Sequence, residues 1–94
     1  MREKVYENKI KKFIESVGGY WVKFHGNAFT REGVPDLLCC INGKFFAIEV
    51  KGDGGKASKL QEYEIERIKN AKGLAGVYYP KDFPRLKEEI KELL

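Results

Sequence analysis

Apolar positions change their period several times along this chain, and each change marks an element. From about Glu3 to Val17, the residues Tyr6, Ile10, Phe13, Ile14 and Val17 recur at helical spacing, and Gly18-Gly19 stops the run. "YWVKFH", Tyr20 to His25, alternates as a strand does and sets Trp21, Lys23 and His25 on one face. "GNAFTREG" follows as a polar, glycine-bounded loop. The most apolar segment is "GVPDLLCCINGKFFAIEVKG", Gly33 to Gly52, centred on Asn42-Gly43, the favoured two-residue hairpin turn. After the flexible "GDGGKA", Ser58 is placed to cap a helix reaching about Lys72, with Gly73 as its C′ residue. "LAGVYY" is a short strand ended by Pro80. Asp82 is placed to cap a last helix striped by Phe83, Leu86, Ile90 and Leu93.

The resulting order is α-β-β-β-α-β-α, an α/β fold class. The last strand follows a helical crossover from the third, so it is expected to pair parallel to it through a right-handed connection. The sheet is then four-stranded and mixed, flanked by helices. At 94 residues, 43% of them hydrophobic, the chain is one domain spanning 1–94. A domain this small gains buried surface by oligomerising.

With a two-residue turn, Ile41 faces Lys44, and pairing outward brings Cys40 to Phe45, Leu38 to Ala47 and Asp36 to Glu49. Strand alternation sets Asp36, Leu38, Cys40, Phe45, Ala47, Glu49 and Lys51 on one face. Opposed residues have Cβ atoms roughly 4.5–5.5 Å apart, where two like charges destabilise the pair unless something positive lies between them. Lys51 supplies part of that charge. A divalent cation supplies more, since two convergent carboxylates and water suit Mg²⁺ or Mn²⁺, and the Val50 carbonyl is placed to be a further ligand. The alternative is a solvated strand end with ordinary surface charges, which accounts for one charge better than for three on one face.

Charge and cysteine content narrow the setting. The formal net charge is +4, which favours a polyanionic partner weakly when taken alone. Cys39 and Cys40 are neighbours on opposite strand faces and form no structural disulfide with each other. With one histidine and no C-x-x-C, zinc is not expected, and the pattern fits a reducing compartment. "MREKVYENKI" is charged, unlike a signal peptide, and no apolar run approaches membrane-spanning length. A cytoplasmic protein of a bacterial or phage-infected cell is the expectation.

"GVPD" followed by "IEVK" resembles the signature of the PD-(D/E)xK nuclease superfamily. The continuation "KASKLQEYEIERIKNAKG", with Ser-x-x-Gln opening a helix, is similar to its VRR-NUC branch, in particular to small stand-alone members encoded by phages. The likeness covers nearly the whole chain, from the first helix to the final strand. It implies a restriction-endonuclease-like core and metal-dependent phosphodiester hydrolysis. Small relatives such as the archaeal Holliday-junction resolvases act as homodimers on branched DNA, so the resemblance implies a homodimer and a DNA partner here.

On that resemblance Asp36 and Glu49 are the metal ligands, and Lys51 orients water or stabilises charge developing on the phosphate. Glu7 lies about 20° from Ile14 around the first helix, at the edge of its apolar stripe. The resemblance makes it the glutamate completing the metal site, whereas the plainer reading is an exposed residue favoured by the helix dipole. Gln61, similarly turned toward the core side of its helix, matches a glutamine that approaches the active site. It also forms a capping box with Ser58, which needs no chemistry. Lys23, His25, Arg31, Lys56 and Lys59 are candidate DNA contacts, each with a solvated surface charge as its ordinary explanation. The leading expectation is a Mg²⁺- or Mn²⁺-dependent endonuclease selective for branched DNA such as four-way junctions, recognised by shape. Against it stand a non-catalytic nucleic-acid-binding module of the same fold, a nuclease acting on RNA or simple single strands, and a subunit of a larger restriction or repair complex.

Overall fold

The computed structural model describes residues 1–26 and 31–94; half of the expected "GNAFTREG" loop, residues 27–30, lies outside them. The elements follow the expected order: α1 (Glu3–Ser16), β1 (Tyr20–Lys23), β2 (Leu37–Ile41), β3 (Lys44–Val50), α2 (Lys59–Asn70), β4 (Leu74–Tyr78), a 3₁₀ turn (Pro80–Asp82) and α3 (Phe83–Lys91). The sheet has spatial order β1-β2-β3-β4. Its first two pairings are antiparallel and the last is parallel, with Phe46 facing Leu74 and Val50 facing Tyr78. The α/β class and the mixed sheet are therefore those the chain's periodicity implies.

Helices cover both faces. On one, α1 and α3 pack Tyr6, Ile10, Ile14, Leu86 and Ile90 against Leu37, Cys39, Ile41, Ile48 and Val50. Each fully buried branched aliphatic there contributes about 1.5–3 kcal/mol of transfer free energy. Tyr6 and Phe83 meet edge to face at 5.7 Å, joining the two helices. On the other face, α2 packs Ile65 and Ile68 on Ala47, Ala75, Leu38 and Val77. The small residues let α2 sit close to the sheet, and this is the face that carries Asp36 and Glu49.

Three local features differ from expectation. The strand beginning at Tyr20 ends at Lys23, so His25 lies beyond it and is exposed. At the end of α2, Lys72 takes the left-handed conformation (φ 74°) instead of Gly73. Gly73 is needed for closeness: a Cβ there would lie 2.9 Å from Ile68 Cγ2 and 3.2 Å from the Phe45 ring. Asp82 caps the 3₁₀ turn, its carboxylate accepting from the Tyr79 amide at 2.9 Å, and makes no side-chain cap to α3.

Candidate active site

The hairpin pairs in the register of its two-residue turn. Ile41 faces Lys44 and Leu37 faces Ile48, so Asp36 stands opposite Glu49 one step further out. Gly33 and Pro35 set Asp36 there. Gly33 has φ +86°, and a Cβ on it would lie 2.6 Å from the Leu60 carbonyl oxygen, so the chain enters β2 pressed against the start of α2. Pro35 is fully buried. The Asp36 carbonyl accepts from the Phe24 amide at 2.8 Å, which ties this end of β2 to the chain leaving β1.

The two carboxylates differ in environment. Asp36 Oδ2 accepts from the Val50 amide at 2.9 Å, and Oδ1 lies 3.3 Å from Lys23 Nζ. The Val50 amide thus fixes the Asp36 carboxylate, a contact beside the metal-ligand role expected of the Val50 carbonyl. The Glu49 side chain is only 2% exposed. Its Oε2 accepts from Gln61 Nε2 at 2.9 Å and lies 3.2 Å from Lys51 Nζ. Its Oε1 is buried and has no hydrogen-bond partner among the described residues. Burial, and then the negative charge of Asp36, push the Glu49 carboxyl up to about 7 against the opposing pull of Lys51.

Gln61 makes both the helix cap and a contact to Glu49. Its Oε1 accepts from the Ser58 amide at 2.8 Å while Ser58 Oγ accepts from the Gln61 amide at 3.1 Å, completing the capping box. The other end of the same amide group reaches Glu49. The helix cap therefore fixes the rotamer that orients the carboxylate.

Glu7 sits differently. It is 2% exposed on α1, on the opposite side of the sheet from α2. Its Oε1 takes Lys23 Nζ at 2.6 Å, and its Oε2 lies 3.0 Å from Lys11 Nζ and 3.9 Å from Lys4 Nζ. No donor meets Oε2 in hydrogen-bonding geometry, so the Lys11 contact is an ion pair without a directed bond. Burial raises the Glu7 carboxyl, but the hydrogen bond from Lys23 and the positive charges of Lys23 and Lys11 outweigh it and hold the group below the ordinary carboxylate range. Among the described residues, no three His, Cys, Asp or Glu side chains gather to hold a metal ion. The donor set that fits a cation is the Asp36–Glu49 pair, with the orphaned Glu49 Oε1 as its vacant lone pairs. Mg²⁺ suits such a pair because it keeps several waters and is held by one or two carboxylates together with phosphate oxygens.

Lys56, in the loop between β3 and α2, and Lys59, the first residue of α2, are exposed. Arg31 pairs with Glu64 at 3.2 Å. Lys23, read from sequence as a phosphate contact, is engaged by Glu7 and Asp36. Lys11 escaped the sequence reading altogether, although its place four residues after Glu7 on a helix is a signal for such a pair.

No protein-family model matches the chain, and no curated protein matches it.

Proposed function

We propose that the protein is a divalent-metal-dependent endonuclease that hydrolyses DNA phosphodiester bonds, with branched DNA such as four-way junctions as its preferred substrate. The observation that carries this reading is the facing Asp36–Glu49 pair, in which a buried carboxylate oxygen has no partner among the described residues. A site with two opposed carboxylates and one orphaned lone-pair set is stabilised by a cation, and the adjacent ammonium of Lys51 fits an anionic substrate.

In this reading Asp36 and Glu49 hold Mg²⁺ or Mn²⁺, which when bound supplies a Lewis acid for the scissile phosphate and lowers the pKa of water. The Val50 amide fixes the Asp36 carboxylate, and Gln61 fixes that of Glu49. Lys51, 3.2 Å from Glu49, orients the attacking water or stabilises charge developing on the phosphate. Lys56 and Lys59 follow Lys51 in the chain and offer exposed cations to the flanking backbone phosphates. A homodimer, which would set two sites on opposite strands, has an apolar face available where Tyr20, Val22 and Phe45 are exposed beside α2.

The test is cleavage of a labelled four-way junction beside duplex, single-stranded DNA and RNA, with Mg²⁺, Mn²⁺ or EDTA. Paired metal-dependent nicks in the junction, lost in Asp36→Asn and Lys51→Ala, are expected. Tight junction binding without cutting by the wild type would instead identify a non-catalytic binding module, and cutting confined to RNA or single strands would reassign the substrate.

A further inference from the structure

Glu7 and Lys23 raise a question that the metal reading does not answer. Two carboxylates on opposite sides of the sheet, the buried Glu7 and the partly exposed Asp36, share one ammonium: Lys23 Nζ lies 2.6 Å from Glu7 Oε1 and 3.3 Å from Asp36 Oδ1. Lys23 stands at the last position of β1, facing Leu37, one residue from Asp36. Its side chain shares the α1 side with Trp21, and its head reaches past the strand end to the Asp36 carboxylate. Trp21 fixes part of this arrangement, since its ring carries Lys11 at 4.5 Å and its Nε1 donates to Glu15 at 2.8 Å.

A carboxylate approached by three ammonium groups is already neutralised. A divalent cation brought to Glu7 would have to displace Lys23 from a short, partly buried bond and would also meet the charges of Lys11 and Lys4. Asp36 is the opposite case, because its contact to Lys23 is the longer one and its other oxygen meets a neutral amide. A cation can take Asp36 from Lys23 while Lys23 remains on Glu7. The asymmetry of the two distances is what Glu7 provides.

We infer that Glu7 is a positioning residue and not a metal ligand: it parks the Lys23 ammonium beside Asp36 and so sets how strongly that ammonium competes with a divalent cation for Asp36 Oδ1. The assignment rests on the proposed metal-binding role of Asp36. When Glu7 loses its charge, Lys23 closes on Asp36 and the cation binds more weakly. When Lys23 loses its ammonium, the competitor is gone and the cation binds more tightly. Once Lys23 is gone, Glu7 has nothing left to position, and Lys11 still neutralises it.

A double-mutant cycle on Mn²⁺ affinity, read by calorimetry with the full chain, separates this from ligation. Lys23→Met is expected to tighten Mn²⁺ binding about threefold to fivefold, and Glu7→Gln to weaken it by a similar factor, as for a partly exposed ion pair. Glu7→Gln on the Lys23→Met background is expected to change the affinity by less than about twofold. Direct ligation, or general damage to the site, predicts instead that Glu7→Gln weakens binding in both backgrounds alike, and that result overturns the inference. Wild-type protein that binds no Mn²⁺ overturns the metal reading itself, and this assignment with it. A second measurement needs no variant: at low Mn²⁺ the carboxyl ¹³C resonances of Asp36 and Glu49 should broaden away while that of Glu7 stays visible. Broadening of Glu7 as strong as theirs at the same Mn²⁺ level would make it a ligand, since a carboxyl held only one lysine head further from the ion broadens far less than one bound to it.

Discussion

At the scale of single residues, one buried position carries a cost in stability. Glu49 is buried opposite Asp36, and its carboxyl is raised from 4.5 to about 7. Between those values the folded chain holds a proton that the unfolded chain has released, so this group makes stability fall as pH rises from about 4.5 to about 7. Glu7 has the opposite sign. Its folded value is lowered, so its contribution is present above the unfolded value and is lost as pH falls through the folded one. Glu49→Gln removes the repulsion while keeping shape. In EDTA at pH 8 it should be the more stable protein by about 1 kcal/mol or more, roughly 4–8 °C in melting temperature for a domain of this size. The difference from wild type should shrink toward pH 5. A thermal melt series across that range checks it, and a variant less stable than wild type at pH 8 would show that the pair is not strained.

At the scale of elements, the site depends on how α2 begins. Ser58, Gln61 and Glu49 form one chain of hydrogen bonds from helix cap to carboxylate. Ser58→Ala should cost about 1 kcal/mol by loss of the cap. It should lower cleavage no further than that loss of folded protein explains, because the Ser58 backbone amide still holds the Gln61 side chain on Glu49; activity at temperatures well below the melt checks it. Gly33→Ala should cost roughly 1–3 kcal/mol, since it forces a side chain into a positive-φ position where a Cβ would lie 2.6 Å from the Leu60 carbonyl. Denaturant titration measures it. Much of this level was legible in the chain itself. Asn42-Gly43 admits one tight turn, and a period of two then forces Asp36 opposite Glu49, so register followed from local chemistry. The capping box was legible for the same reason. The left-handed Lys72 was not, because the choice between it and Gly73 is made by Ile68 and Phe45 pressing on Gly73, a contact distant in sequence. The hold of Lys23 on Glu7 was hidden too, since it forms only when α1 packs on β1, whereas Lys11, four residues after Glu7 on one helix, carried a local signal.

At the scale of the whole molecule, the fold separates support from chemistry. The larger core under α1 and α3 holds the sheet, while the lighter α2 face leaves the carboxylate pair at the end of the strands where β2 begins and β3 ends. No described helix is long and apolar enough to cross a membrane. The net charge of +4 and the exposed Lys56 and Lys59 lead to a further expectation. Replacing either lysine by alanine should weaken junction binding at every sequence alike and reduce the slope of log K against log salt by about 1. A variant with an unchanged slope would remove that lysine from the interface. The central claim, however, is that the Asp36–Glu49 pair is a divalent-cation site. Its most direct test is calorimetric titration of Mn²⁺ into wild type, Asp36→Asn and Glu49→Gln at pH 6, repeated in two buffers of different ionisation enthalpy. One ion should bind per wild-type chain with release of a large part of one proton, and both variants should lose binding. Absence of wild-type binding, or binding that both substitutions leave intact, would contradict the account.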